Sequence, residues 1–242
     1  ITGRFSTNET ISLYRNLKTL FLKASLNLRK FLSNSSEVME RIPVKDRAVG
    51  DSLSIGSSSK TLGIEWFHVT DQLGFESVVK NMKKILPSIV TKRAIAKSSP
   101  LLFDPCGILQ PFTVRGKMIL RELWSRRLSW DEPIDDDLRE IWEIWIKDLD
   151  FIKTLRIERT YCTKQVLNSQ VFGFGDASNN CYATAVYLKS QLIDGTVEVS
   201  LVASKSKICP LKQENLTIPK KELLAAVLTA RLTTFIRDSL SM

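Results

Sequence analysis

Apolar side chains recur near the start of the chain as Ile11, Tyr14, Leu17, Leu20, Phe21, Ala24 and Leu28, the spacing that collects residues on one helix face. This pattern predicts an amphipathic helix over 8–31, stopped by the polar run Ser33, Asn34, Ser35 and Ser36. Residues 45–60 are polar and rich in Ser and Gly, and read as a loop. Over 61–69, Leu62, Ile64 and Trp66 alternate with polar or small neighbours, which predicts a strand forming half of a hairpin. Helical spacing returns over 77–86, ends before Pro87, and begins again near Thr91 until Pro100 interrupts it. The run from Asp104 to Pro111 is punctuation. Two long helices follow. The first, over 112–128, carries Ile119, Leu120, Leu123, Trp124 and Leu128 on one stripe. The second, over 131–155, carries Leu138, Ile141, Trp142, Trp145, Leu149 and Ile152. Because Trp124, Trp142 and Trp145 lie on apolar stripes, they are expected in the core.

The period then shifts from 3.6 to 2. Strands are predicted over 170–176, 181–188 and 196–205, with Asp194-Gly195 as the hairpin turn between the second and third. Pro219 suits a first helical turn, and 220–232 has strong helix propensity. The expected architecture is α+β, closing with a β-β-β-α unit. Its expected parts are residues 1–75, a helical region over 76–160, and the β-β-β-α unit over 161–242.

Composition changes the picture mainly by exclusion. With 242 residues, 43% hydrophobic and 25% charged, the chain is long and apolar enough to bury a core, so disorder throughout is excluded. No run approaches the roughly 18 apolar residues of a membrane span. Cys106, Cys162, Cys181 and Cys209 form no C-x-x-C pair and have only His68 to join them, which argues against zinc. Reduced thiols in an intracellular setting are expected, with a cytoplasmic particle and the nucleus both open as compartments. The chain opens at Ile1 and is read as a fragment of a longer protein.

Charge is unevenly placed. The net charge is +9. Residues 76–130 carry 11 basic side chains against 3 acidic ones, whereas 131–150 carry 9 acidic against 2 basic. Lys80, Lys83, Lys84, Lys92, Arg93, Lys97, Arg115 and Lys117 lead the basic stretch. Two readings stand: solvated helix faces, or a surface that tracks nucleic-acid phosphates.

With one histidine placed away from any reactive-looking Ser or Cys, no nucleophile-base triad can be assembled, and no Gly-rich phosphate loop is present. Carboxylate chemistry remains. Asp176 ends an apolar strand in the run Phe172-Gly173-Phe174-Gly175-Asp176, where Phe172, Phe174 and Asp176 share one face. Glu222 sits in the opening turns of an otherwise apolar helix. Each alone has a plain reading, Asp176 as a turn residue and Glu222 as a partner of the helix dipole. If that helix packs over the first strand, the two carboxylates converge and could hold a hard divalent cation.

These residues carry a resemblance. GFGDAS, YATAVYL, SKSKICPLK and TIPKKELLAA resemble the ribonuclease H region of BEL/Pao-type retrotransposon polyproteins. Upstream, LGIEW, TKRAIAKSSPLLFDPCGILQPF and LWSRRLSWDEPI resemble the tail of the same polyprotein's reverse transcriptase. The resemblance implies that residues 1–75 end a polymerase palm, with Leu62, Gly63 and Trp66 in a primer-grip-like hairpin, and that 76–160 form thumb and connection. It implies that Asp176 and Glu222 are metal-binding catalytic carboxylates for Mg²⁺ or Mn²⁺. It further implies that an RNA/DNA hybrid or template-primer duplex and the remainder of the Pol polyprotein are partners, and that no membrane is. The polymerase Tyr-x-Asp-Asp motif is absent, and the later ribonuclease H carboxylates would follow residue 242, so a catalytically incomplete chain with an exposed sheet edge is expected. The same stretch is identified with a Pao retrotransposon peptidase family, but Asp176-Ala177-Ser178 departs from the Asp-[Ser/Thr]-Gly of an aspartic peptidase. Peptide hydrolysis and a non-enzymatic nucleic-acid-binding role remain the alternatives.

Overall fold

A computed structural model of the chain describes residues 6–48, 58–61, 64–86, 89–162, 164–210 and 216–242. It is a mixed α+β structure, divided into two compact units: residues 1–60 with 66–73, and 61–65 with 74–242.

In the first unit, helix α1 (Thr7–Lys23) opens on Ser6, whose hydroxyl accepts from the Glu9 amide. The helix ends eight residues earlier than its apolar spacing predicts. Ser25 adopts a positive φ of 58°, and the amides of Ser25 and Leu26 turn back to the Leu22 and Phe21 carbonyls. Phe31 is thereby released to pair with the 46–48 backbone and to meet Tyr14 edge-on at 4.8 Å. Ile11, Val38, Met39 and Ile42 form the small core, with Val38 and Met39 on the short helix α2 (Ser36–Arg41). Strand β1 (Ser58–Thr61) lies where the sequence reads as a loop. Two more short strands are β2 (Ile64–Phe67) and β3 (Gln72–Gly74).

The second unit joins a helical layer to a three-stranded antiparallel sheet. Helices α3 (Glu76–Lys84), α4 (Lys92–Ser98), α5 (Gln110–Ser125) and α6 (Asp136–Thr154) make the layer, and the three-residue strand β4 (Arg156–Glu158) follows it. Its core contains Val79, Met82, Ile95, Leu123 and Leu149. Trp145, 1% exposed, stacks on Phe112 and Trp142 and donates its indole N–H to the Phe112 carbonyl at 3.1 Å. Trp142 and Trp145 are core residues as expected. Trp124 is not: it is 51% exposed, meets Trp130 edge-on, and has the Lys92 ammonium 3.6 Å from its ring centroid.

The sheet consists of β5 (Val166–Ala177), β6 (Cys181–Leu192) and β7 (Val197–Ile208), in that order. Strand β5 runs past both of its predicted limits, while β6 and β7 run past theirs only at the C-terminal end, where antiparallel pairing continues. The Asp194-Gly195 turn closes the second hairpin, with Gly195 at φ +84° and the Leu192 amide donating to the Thr196 carbonyl. Helix α7 (Ile218–Ser239) has Pro219 in its first turn and packs on β5 and β6. Val186, Leu188, Val202 and Ile236 form the core between sheet and helix. Among the described residues, no helix is long and apolar enough to cross a membrane.

Candidate carboxylate site and its charged surroundings

The glycines of β5 decide how close α7 can come. A Cβ on Gly173 would run into the Thr233 hydroxyl and lie 2.8 Å from the Thr229 methyl. One on Gly175 would strike the Thr229 hydroxyl and lie 3.1 Å from the Ala225 carbonyl oxygen. These glycines therefore face the helix, and their missing side chains let its backbone approach the strand. The contacts step together along both elements: Thr233 with Gly173, Thr229 and Ala225 with Gly175, and the Lys221 ammonium 2.9 Å from the Asn179 carbonyl. Four helical residues rise about 6 Å and two strand residues about 6.6 Å, so the register holds along the crossing. Glu222, one turn before Ala225, accordingly stands level with the end of β5 that carries Asp176.

Both carboxylates are exposed. Asp176 pairs with Ala183 across the sheet, and its Oδ1 accepts from the Ala177 amide at 2.8 Å. Since Gly173 and Gly175 face α7, alternation puts Phe172, Phe174 and Asp176 on the opposite face, the grouping the sequence predicts; the expected convergence is corrected, because α7 packs over β5 on the face away from Asp176 and brings Glu222 level with it, not onto its side of the sheet. That face is open there: Phe174 is 60% exposed and meets the Tyr187 ring edge-on at 5.9 Å. Oxygen donors at one strand end suit a hard cation, but two carboxylates fall short of the six oxygen ligands that each Mg²⁺ takes. Among the described residues, no group of three or more His, Cys, Asp or Glu could hold a metal ion. These residues alone do not complete a metal centre.

The basic stretch meets the acidic one. Lys83 pairs with Asp150 at 2.6 Å, Arg115 with Asp148 at 2.6 Å, and Arg93 clasps Asp131 through two bonds of 2.7 and 2.9 Å. Lys80 pairs with Glu76 one turn away at 2.6 Å. The bond to Arg93 holds the Asp131 carboxyl below the usual range, and the bond to Lys83 does the same for Asp150. Lys92 is only 3% exposed and donates to the Leu128 carbonyl as well as covering Trp124. Lys117 is part-buried near Gln110 and Ser206, and burial pushes its ammonium below the ordinary lysine range. Lys84 and Lys97 are exposed, with no ion pair among the described residues. Leu62 and Gly63 lie outside the described residues, while Trp66 donates its indole N–H to Asp71 at 2.9 Å.

Sequence reasoning passed over the turn from Asp104 to Gln110 as punctuation. The Asp104 carboxylate accepts from the Ile108 and Leu109 amides at 2.9 and 2.6 Å, and burial pushes its pKa above the ordinary range. Gly107, at φ +74°, lies so close to β7 that a Cβ would run into the Ser204 carbonyl. The Ser204 amide donates to the Cys106 carbonyl, its hydroxyl to the Gly107 carbonyl, and the Ser206 hydroxyl to Gln110. This turn fastens α5 to the last strand. The Asp-x-x-Gly spacing was the available signal.

The family described as Pao retrotransposon-like RNaseH-like domain matches residues 91–242. No curated protein matches the chain.

Proposed function

Because the chain belongs to the Pao retrotransposon-like RNaseH-like domain family, we propose that it holds an RNA/DNA hybrid and supplies Asp176 and Glu222 to cleavage of the RNA strand. The observation that supports this reading is the α7 crossing over Gly173 and Gly175, which brings Glu222 level with the β5 end that carries Asp176, the two carboxylates approaching that end from opposite faces of the sheet. A bound Mg²⁺ or Mn²⁺ pair supplies activated water and stabilises the leaving oxygen in such hydrolysis. The further ligands come from another part of the Pol polyprotein, and this chain by itself does not cleave. Residues 1–75 then serve as the end of a polymerase palm, with Leu62, Gly63 and Trp66 toward the primer, and 76–160 as thumb and connection. Within that helical stretch, Lys84 and Lys97 are the cations of the basic series most available to a duplex.

The test is Mg²⁺-dependent cleavage of a labelled RNA/DNA hybrid by three proteins: this chain, a chain extended through the following strands of its polyprotein, and the extended chain carrying Asp176→Asn. Cleavage is expected from the extended chain alone, and the variant is expected to lose it. Equal cleavage by the variant would overturn the assignment of Asp176. Cleavage by the short chain would show that its site is complete. A non-enzymatic reading is favoured by the lack of a third ligand among the described residues; it predicts hybrid binding without cleavage even in the extended chain.

A further inference from the structure

Many charges of the helical layer are paired, Lys84 and Lys97 being exceptions, whereas among the described residues none is paired at the carboxylate end of the sheet. Lys205 sits opposite Thr184, which sits opposite Gly175, and Lys207 sits opposite Tyr182, which sits opposite Ala177. Directly paired residues share a face, so both lysines lie on the α7 side of the sheet. Helix α7 covers β5 and β6 but scarcely reaches β7, which leaves Lys205 and Lys207 exposed beside it. Strands β5 and β7 run in the same direction, so these lysines stand at the same sheet end as Asp176, about 10 Å away across two strand spacings and on the Glu222 side of the sheet, with the Asp176 side chain on the other face. Lys220, in the first turn of α7 and next but one to Glu222, is exposed as well.

No ion pair joins Lys205, Lys207 or Lys220 to a carboxylate among the described residues, and none joins Asp176 or Glu222 to a cation. Burial explains none of this, since all five side chains are exposed. The two lysines of β7 are about 6.6 Å apart along the strand, and their long flexible stems can follow successive phosphates of one backbone. From this arrangement we infer that Lys205 and Lys207 form the track that holds the nucleic-acid backbone against the sheet end where Asp176 and Glu222 lie. The inference rests on the hybrid-binding reading above and moves the main phosphate contacts from the helical layer to the third strand.

The test is the salt dependence of RNA/DNA hybrid binding by the full chain, read by fluorescence anisotropy. Three proteins are compared: wild type, Lys205→Gln with Lys207→Gln, and Lys83→Gln with Arg115→Gln. Losing two phosphate contacts lowers the slope of log K against log salt by about 1.8, so the wild type should lose roughly tenfold more affinity than the β7 variant between about 50 and 200 mM salt. The helical-layer variant should keep the wild-type slope. Circular dichroism checks that each variant is folded. Wild-type binding with an unchanged slope in the β7 variant would overturn the lysine track while leaving the hybrid reading in place. Failure of the wild type to bind the hybrid at all would overturn both.

Discussion

Lys92 illustrates how a charged residue in a basic run can be a core component. Its stem is buried, its ammonium sits over Trp124, and the Leu128 carbonyl accepts from it. A desolvated cation over an indole is worth on the order of 2 kcal/mol, which is comparable to burying a large aliphatic side chain. Asp46 is the matching case in the first unit. It is 3% exposed, accepts from Lys18 at 2.6 Å and from the Tyr14 hydroxyl at 2.9 Å, and the Lys18 bond holds its carboxyl below the usual range. A depressed carboxyl stabilises the fold above the unfolded value, about 3.9, and that contribution disappears as pH falls through the folded value. Thermal unfolding between pH 7 and 2.5 should therefore show wild type more stable than Asp46→Asn at neutral pH, with the gap closing only in acid below about pH 4. A gap that is constant across the range would contradict the ion pair.

At the scale of elements, the crossing of α7 on β5 depends on two positions without side chains. Gly175→Val would force branched methyls against Thr229 and the Ala225 backbone, and overpacking of this kind costs about 1 to 3 kcal/mol. Gly173→Ala should cost less, because its added carbon meets side-chain tips that can rotate. Hydrogen exchange would register the difference as faster exchange of the α7 amides in Gly175→Val, with the β6 to β7 ladder less affected. Unchanged α7 protection would mean that the helix does not rely on those gaps. The elements themselves were legible where periodicity was strong: the three long strands, the Asp194-Gly195 turn, and helices α5, α6 and α7. The end of α1 was not, since Leu26 and Leu28 continue the apolar spacing while the backbone reverses at Ser25. Nor was the fate of Trp124, because its helical stripe gives no sign that a lysine 32 residues earlier in the chain will claim its ring. The carboxylates were legible as unusual residues, but their common end of the sheet follows from glycine contacts that only the packed helix reveals.

For the whole molecule, the sum of charges misleads where their pairing informs. The excess of positive charge over 76–130 and of negative charge over 131–150 cancels within the second unit through Lys83 with Asp150, Arg115 with Asp148, Arg93 with Asp131, and Arg126 with Asp135 and Asp137. These pairs are exposed, and each contributes little singly. Their consequence is electrostatic: they engage several of the helical layer's cations, whereas Lys205 and Lys207 of β7 stand exposed at the sheet end that carries Asp176. The turn at Gly107 fixes that strand to α5, so the sheet and the helical layer present their charges as one body within the unit. The open face carrying Phe172, Phe174 and Asp176 lies across the sheet from α7.

The central proposal is that Asp176 and Glu222, which the α7 crossing brings level at one end of the sheet, act as one site. Paramagnetic broadening of backbone amide signals during a Mn²⁺ titration of the full chain tests this without requiring turnover. The account predicts that the Ala177 and Leu223 amides broaden together at the same Mn²⁺ concentration, and that Asp176→Asn removes the effect at both. Broadening at only one of them, or persistence at Leu223 in the variant, would contradict it.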